Sequence, residues 1–290
     1  MKKVLITGSS RGIGLETALA FGRAGYQVFA ALRNPDGATE LKQKIQEETL
    51  PISIHAMDVN SDESVNSCIK QIIQDYGAVD VLVNNAGIGL NGSIEEMPIY
   101  DIKAVFKEVM ETNYFGAIRC LQAVIPSMRT RKSGCIINIT SISGRLTPSP
   151  LGCYPASKFA LEAVSEALAQ EVKPFNIRVG IIEPGIIDTD MAHEIEQEHT
   201  SIYPSSKRMA DLFFASLKNP NPASLVADQA VDFASGDSWI LRHAVEPDAL
   251  AFIQWRNSMT DEEWINWNSV SDEEWYTPVE ETFELMARRN

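Results

Sequence analysis

A chain of 290 residues with 44% hydrophobic and 22% charged residues is long enough for one large domain with a full core, and it is unlike disordered, collagen-like or coiled-coil sequences. With 25 Lys+Arg against 39 Asp+Glu, a net charge of −14 and a pI near 4.8, it lacks the broad basic face that binding a phosphate backbone requires, so nucleic acid is not an expected partner. The acid is concentrated: residues 191–290 hold 7 Lys+Arg against 18 Asp+Glu, together with all five Trp, while the first 190 residues are close to neutral.

Met1-Lys2-Lys3 is followed by an apolar run that stops at Thr7-Gly8, far short of a secretory h-region, and no stretch approaches the roughly 18 apolar residues of a membrane span. A cytoplasmic protein without a membrane span is expected. Cys68, Cys120, Cys135 and Cys153 form no C-x-x-C pattern and read as reduced, buried, small apolar side chains. Along the chain, VLITG (4–8) precedes a helix from about Ile13 to Ala24, then come QVFAAL (27–32), a polar helix, and ISIHAMDV (52–59). A helix from about Glu63 leads to VDVLVNNAG (79–87), a long helix around 101–130 to GCIINIT (134–140), and a helix around 155–172 to IRVGIIEPG (177–185). Strands that are apolar on both faces and separated by helices belong in a parallel sheet covered on both sides, which predicts a doubly wound α/β sheet.

After Gly185 the rhythm changes. Residues 186–222 are polar, with one apolar patch at Leu212-Phe213-Phe214, and predict a lid carrying one or two short helices. A helix over Pro222–Ser235 and a last strand over 238–245 follow. Thr260-Asp-Glu-Glu-Trp and Ser271-Asp-Glu-Glu-Trp each place a Glu, Glu263 or Glu274, three residues after a hydroxyl, as in a capping box that starts a helix with its Trp face inward. Two copies are too few for a repeat architecture. The expected organisation is a single domain over 1–290: a dinucleotide-binding and catalytic core to 188, a substrate lid over 189–222, and a last helix and strand with an acidic Trp-rich cap over 223–290.

Thr7-Gly8-Ser9-Ser10-Arg11-Gly12-Ile13-Gly14 lies between the first strand and the first helix, where glycines let a backbone approach a pyrophosphate and the helix N-terminus offers free N–H groups. The same turn also serves tight strand-to-helix packing, and its T-G-x-x-x-G-x-G spacing departs from G-x-G-x-x-G. Tyr154 and Lys158, four apart at the opening of a helix, share one face; an ammonium close to a phenol favours the phenolate, which suits an acid/base pair.

With Asn84-Asn85-Ala86-Gly87 at the end of the fourth strand, these motifs resemble the short-chain dehydrogenase/reductase family, closely over about residues 1–190 and more loosely to about 250. The resemblance implies a Rossmann-type sheet of about seven strands in the order 3-2-1-4-5-6-7. It places the catalytic hydroxyl thirteen residues before the tyrosine, at Ser141, with Ser143 ranked second, where it donates to a carbonyl oxygen as charge develops. Asn113 corresponds to the fourth member, anchoring a water in a proton relay from Tyr154 past Lys158; a helix cap or surface position is its bland alternative.

Cofactor choice follows from charge. NAD-binding members of this fold carry an acidic residue at the end of the second strand; here Leu32 occupies that place, Arg33 follows, and Arg11 can approach a 2′-phosphate, so NADP(H) is expected. Gly8, Ser10, Gly12, Ile13 and Gly14 would cradle the phosphates, Asp58 and Val59 would flank the adenine, and Asn85, Ala86 and Gly87 would line the ribose. Pro184, Gly185, Ile187 and Thr189 would hold the nicotinamide carboxamide; for Asp58 a cap on the following helix is the rival reading. His55, His193, His199 and His243 show no ligand spacing, and no metal is expected.

The segments GIGLNGSIEEMP and FALEAVSEALAQEVKPFNIRVGIIEPG look most like 17β-hydroxysteroid and retinol dehydrogenases. They imply an NADP(H)-dependent carbonyl reductase or alcohol dehydrogenase of a bulky apolar substrate. A non-catalytic NADP-binding sensor or scaffold is the alternative; epimerases and dehydratases on this fold carry a different glycine spacing. The helices around 101–130 and 155–172 are expected to build a homodimer or homotetramer. The tail's tryptophans, Trp239 to Trp275, are either core packing or one wall of the substrate pocket.

Overall fold

The computed structural model describes residues 1–97, 99–197, 201–245 and 247–287. Seven parallel strands form the centre: β1 (Lys3–Thr7), β2 (Gln27–Leu32), β3 (Ile52–Ala56), β4 (Val81–Asn84), β5 (Gly134–Ile139), β6 (Ile177–Glu183) and β7 (Arg242–Ala244), in the order β3-β2-β1-β4-β5-β6-β7. The expected strand order is the observed one. Register is fixed by burial on both faces: Val4, Leu5 and Ile6 on β1 are fully buried, and so are Val28, Phe29 and Ala30 beside them on β2.

Helices cover both faces. On one side α1 (Gly12–Arg23), α2 (Thr39–Glu48) and α9 (Ser224–Ser235) close a core around Leu15, Leu41 and Phe233. On the other, α3 (Asp62–Tyr76), α5 (Gly116–Arg131) and α6 (Cys153–Val172) close a core around Ile69, Val124 and Leu168. The long helix expected around 101–130 is interrupted. It runs as α4 (Ile99–Met110), a π-helical turn over Glu111–Phe115 where the Gly116 N–H reaches back five residues to the Glu111 carbonyl, and then α5. Periodicity alone cannot show such a turn, because one inserted residue leaves the apolar pattern on either side intact.

Beyond β6 lie α7 (Asp190–Glu196) and α8 (Pro204–Ser216), the latter more than three turns long, where the polar composition suggested only short pieces. α8 earns its length by burying Met209, Leu212 and Ala215 against the C-terminal helices. The expected strand over 238–245 shrinks to the three residues of β7: Trp239 and Ile240 turn outward, Trp239 lying over the Lys173 ammonium at 5.1 Å. The helix expected from Pro222 begins at Ser224.

The tail forms α10 (Ala249–Asn257), which the sequence reading did not anticipate, then α11 (Asp261–Asn266) and α12 (Asp272–Phe283). Both expected capping boxes are formed. Thr260 and Ser271 accept from the N–H of Glu263 and Glu274, whose carboxylates return to the cap N–H at 2.7 and 2.9 Å. Among the described residues no helix is long and apolar enough to cross a membrane. The four cysteines are free thiols, three buried and Cys68 half-buried.

Candidate functional site

The C-terminal ends of the strands open onto a cavity of about 910 Å³, at the side of the sheet where chain order reverses between β1 and β4. Its first wall is the glycine turn. Thr7 is buried, and its hydroxyl oxygen accepts from the N–H groups of Asn85 and Ala86 at 3.0 and 2.9 Å, while the Asn85 amide donates to the Thr7 carbonyl at 2.9 Å. The turn after β1 and the turn after β4 are thereby one rigid unit. Gly8 and Gly12 have φ of +70° and +54°, and a Cβ at Gly14 would meet the Gly8 carbonyl oxygen at 2.2 Å, so the first helix starts pressed against the turn. Arg11, at the start of α1, makes no side-chain cap, which leaves the N–H groups of the first helical turn directed at the cavity.

Gly8, Ser10, Arg11, Gly12, Ile13 and Gly14 all line this wall, as do Asn85, Ala86 and Gly87. Further along it come Arg33, Asp58 and Val59, and opposite them Pro184, Gly185, Ile187 and Thr189. Three details refine the expectations. Arg11 pairs with Asp190 across the cavity mouth at 2.7 Å, both side chains exposed. Thr189 caps α7, accepting from the Ala192 N–H. Asp58 does not cap α3: Ser61 does, and Asp58 instead accepts from the Asn60 N–H at 3.0 Å.

At the centre, Ser141 lies two residues past the end of β5 and caps the short turn Ile142–Gly144, its oxygen accepting from the Ser143 N–H at 3.0 Å. Its hydroxyl donates to the Pro184 carbonyl at 3.5 Å and lies near enough to the Tyr154 phenol to favour its ionisation, and Ser143 lies on the same wall. Tyr154 and Lys158 sit one turn apart at the start of α6, with the Lys158 Nζ 5.5 Å from the centre of the tyrosine ring and donating to the Ile139 carbonyl at 2.9 Å. Burial pushes the Tyr154 phenol up to about 12 against the nearby Ser141 hydroxyl, and burial pulls Lys158 down to about 8. Removal from water thus acts on the phenol against the drift toward the phenolate expected from the neighbouring ammonium.

Asn113 stands behind the wall, 1% exposed, in the π-helical turn. It bonds the Ile88 backbone and donates to the Ser157 hydroxyl at 3.0 Å, so it is neither a helix cap nor a surface residue.

The far wall is apolar: Leu146, Leu151, Met209, Leu212, Phe213 and Phe252 meet an aromatic cluster from the tail. Trp255 packs edge-on against Trp264, Trp267 and Phe283, and Trp267 against Trp275; these tryptophans line the cavity, whereas Trp239 does not. The residues from Leu146 to Phe252 were missed as site residues, since a sequence shows them only as ordinary apolar positions. Among the described residues no group of three or more His, Cys, Asp or Glu is placed to hold a metal ion.

Comparison with known proteins places this geometry. A family model for short chain dehydrogenases matches residues 2–200. The 3-ketodihydrosphingosine reductase of Bacteroides thetaiotaomicron is 36% identical over 215 residues, covering 74% of either chain. Retinol dehydrogenase 8 of Bos taurus is 38% identical over 226 residues, 76% of this chain and 70% of that one. The crystal structure of a short-chain dehydrogenase from Streptomyces avermitilis matches with a TM-score of 0.76 at 29% identity, over 94% of this chain and 97% of its own. ElxO with NADP bound (TM-score 0.73, 28% identity, 86% and 99% covered) and NAD+-bound xylitol dehydrogenase (0.74, 26%, 84% and 97%) share the fold as well.

Proposed function

This chain belongs to the short-chain dehydrogenase family and is an oxidoreductase of that family, and we propose that it reduces bulky apolar ketones, or oxidises the matching secondary alcohols, with NADP(H). One observation carries the reading: Ser141, Tyr154 and Lys158 open onto the same cavity whose opposite wall is aliphatic and aromatic. Relatives named for acting on 3-ketodihydrosphingosine and on retinol support a hydrophobic substrate.

The cavity suits the cofactor. Uncapped N–H groups at the start of α1 and a turn with no room for side chains fit a pyrophosphate. Neighbours of this fold carry NADP or NAD+, so local charge decides, and at the end of β2 the buried Leu32 and exposed Arg33 offer a cation and no carboxylate. The nicotinamide, when bound, supplies or accepts the hydride. Tyr154, kept protonated by burial, gives its proton to the substrate oxygen, and the Ser141 hydroxyl donates to the same oxygen as charge builds on it. Lys158, charged below about pH 8, holds the ribose and faces the tyrosine ring. Asn113 fixes the strand-end loop and Ser157 behind them.

Consumption of NADPH, followed by its absorbance with a panel of aryl and alicyclic ketones, tests the reading. Turnover of the bulky members supports it; tight NADPH binding with no turnover of any would mark a cofactor-binding sensor instead. Exposed Phe115 and Phe159 support assembly through the long helices into a homodimer or homotetramer, which sedimentation tests, and the free thiols support a cytoplasmic location.

A further inference from the structure

Beneath the cavity floor lies a charged cluster that the proposed mechanism leaves unused. Glu162 follows Lys158 by one turn of α6, and each is only 4% exposed. The Glu162 carboxylate accepts from Arg242 of β7 at 3.0 Å. Arg242 also reaches Glu166 at 2.7 Å and lies 3.8 Å from Glu183, which at the end of β6 accepts from Arg145 at 2.9 Å. Space for Glu162 is made by Gly144, where a Cβ would sit 2.8 Å from the Glu162 Cγ. The cluster thus joins the turn that carries Ser141, the helix that carries Tyr154 and Lys158, the end of β6 before Pro184, and β7.

A carboxylate buried beside a buried ammonium favours the charged ammonium, and its influence is larger in a dry interior than at a surface. The Lys158 amine contacts the Tyr154 ring and the Ile139 carbonyl, with Glu162 one turn further along the same buried helix face; Arg242, Glu166, Glu183 and Arg145 surround Glu162 in turn. Burial lowers Lys158 and Glu162 is the charge that opposes it. Burial likewise raises the Glu162 carboxyl, against the Thr140 hydroxyl and Arg242.

We propose that Glu162 is a positioning residue for the reaction: from one turn below, anchored by Arg242, it keeps Lys158 charged and in place at the working pH. Its effect on rate rests on the Tyr154–Lys158 reading above; its effect on the amine does not.

The full-length protein labelled with ¹⁵N-lysine allows the Lys158 amine to be titrated directly in the unsubstituted chain, in Glu162→Gln and in Glu162→Asp, with Lys158→Arg identifying the resonance. The kcat/KM of each is measured across the same pH range with NADPH and benzil. Glu162→Gln is expected to lower the Lys158 titration by about one pH unit and to move the alkaline limb of kcat/KM with it, about a tenfold loss at pH 9 that shrinks toward acid. Glu162→Asp, which keeps the charge, is expected to restore part of both shifts. If the glutamine variant does not fold, Arg242→Met, which frees the carboxylate of its partner cation, is expected to raise the Lys158 titration, an unchanged amine there overturning the proposal. A Lys158 amine that titrates unchanged in both Glu162 variants overturns the proposal. A shifted amine with an unshifted rate profile upholds the link between Glu162 and Lys158 and overturns the catalytic reading on which its consequence for rate depends.

Discussion

Asn113 and Ile88 clasp each other twice: the Asn113 amide oxygen accepts from the Ile88 N–H at 2.8 Å, and its amide nitrogen donates to the Ile88 carbonyl at 2.9 Å. The second amide hydrogen goes to Ser157, three residues after Tyr154 on the same helix. A side chain in the interrupted helix therefore sets the distance between the loop after β4 and the helix of the acid. Both N–H donors of the amide are committed, so any water held near the π-helical turn is held by the widened backbone.

Asn113→Ala removes both halves of the clasp and leaves the Ile88 N–H and carbonyl without their partner. Each stranded group costs about 1–3 kcal/mol, so a loss of about 2–6 kcal/mol is expected in chemical denaturation, together with a drop in kcat. Asn113→Asp, which keeps the acceptor but turns a buried carboxylate oxygen on the Ile88 carbonyl, is expected to cost at least as much stability.

Tyr154→Phe removes the proposed proton donor and keeps the ring. The expected fall in kcat is about 10²–10⁴-fold with NADPH affinity retained, measured by single turnover and fluorescence titration. Unchanged turnover would contradict the assignment of the acid.

The pH dependence of reduction has a definite sign. Lys158 sits at about 8 and is cationic below that value; Tyr154, at about 12, stays protonated throughout the working range. The rate of ketone reduction is expected to be level in neutral solution and to fall above about pH 8. Lys158→Arg, whose guanidinium stays charged, is expected to abolish that decline even where its overall rate is lower.

Arg33→Ala tests the cofactor reading. A charge-assisted contact to a 2′-phosphate contributes about 1.5–3 kcal/mol, so KM for NADPH is expected to rise about 10–100-fold with KM for NADH little changed. Equal shifts for the two cofactors would place Arg33 away from the phosphate.

Trp255→Ala cuts the edge-on contacts to Trp264, Trp267 and Phe283. Turnover of bulky ketones is expected to lose KM selectively, while small ketones, which do not reach this wall, keep theirs. Parallel losses for both sizes would make the cluster packing alone.

The glycine turn and the four-residue spacing from Tyr154 to Lys158 were readable because each depends on neighbours close in sequence, whereas the strand order, with β1 beside β4, and the place of Ser141 were legible only through the family resemblance. The capping boxes at Thr260 and Ser271 were readable from close neighbours as well. The π-helical turn at Glu111–Phe115 was not, since no residue there is forbidden in an ordinary helix. Nor was α10, whose N-cap position holds Asp248 but whose Asp248 carboxylate accepts from the Ile186 N–H rather than capping the helix, or the burial that raises Tyr154, which depends on the fold around it. Arg33 shows the same boundary from the other side: its identity argues for a phosphate, but only the fold puts it on the cavity.

Apart from Leu146 and Leu151, the apolar wall of the cavity comes from a later length of the chain than the rest. The glycine turn, the strand-end motifs and the residues of the proton donor all precede residue 190, whereas Met209, Phe252 and the four lining tryptophans follow residue 200. Most of that wall can therefore be exchanged without touching the glycine turn. Exchanging the segment from α8 onward with that of a relative should carry over the range of accepted ketones while leaving nucleotide preference with the recipient, and diversity in this enzyme can be sought by editing one end of the gene.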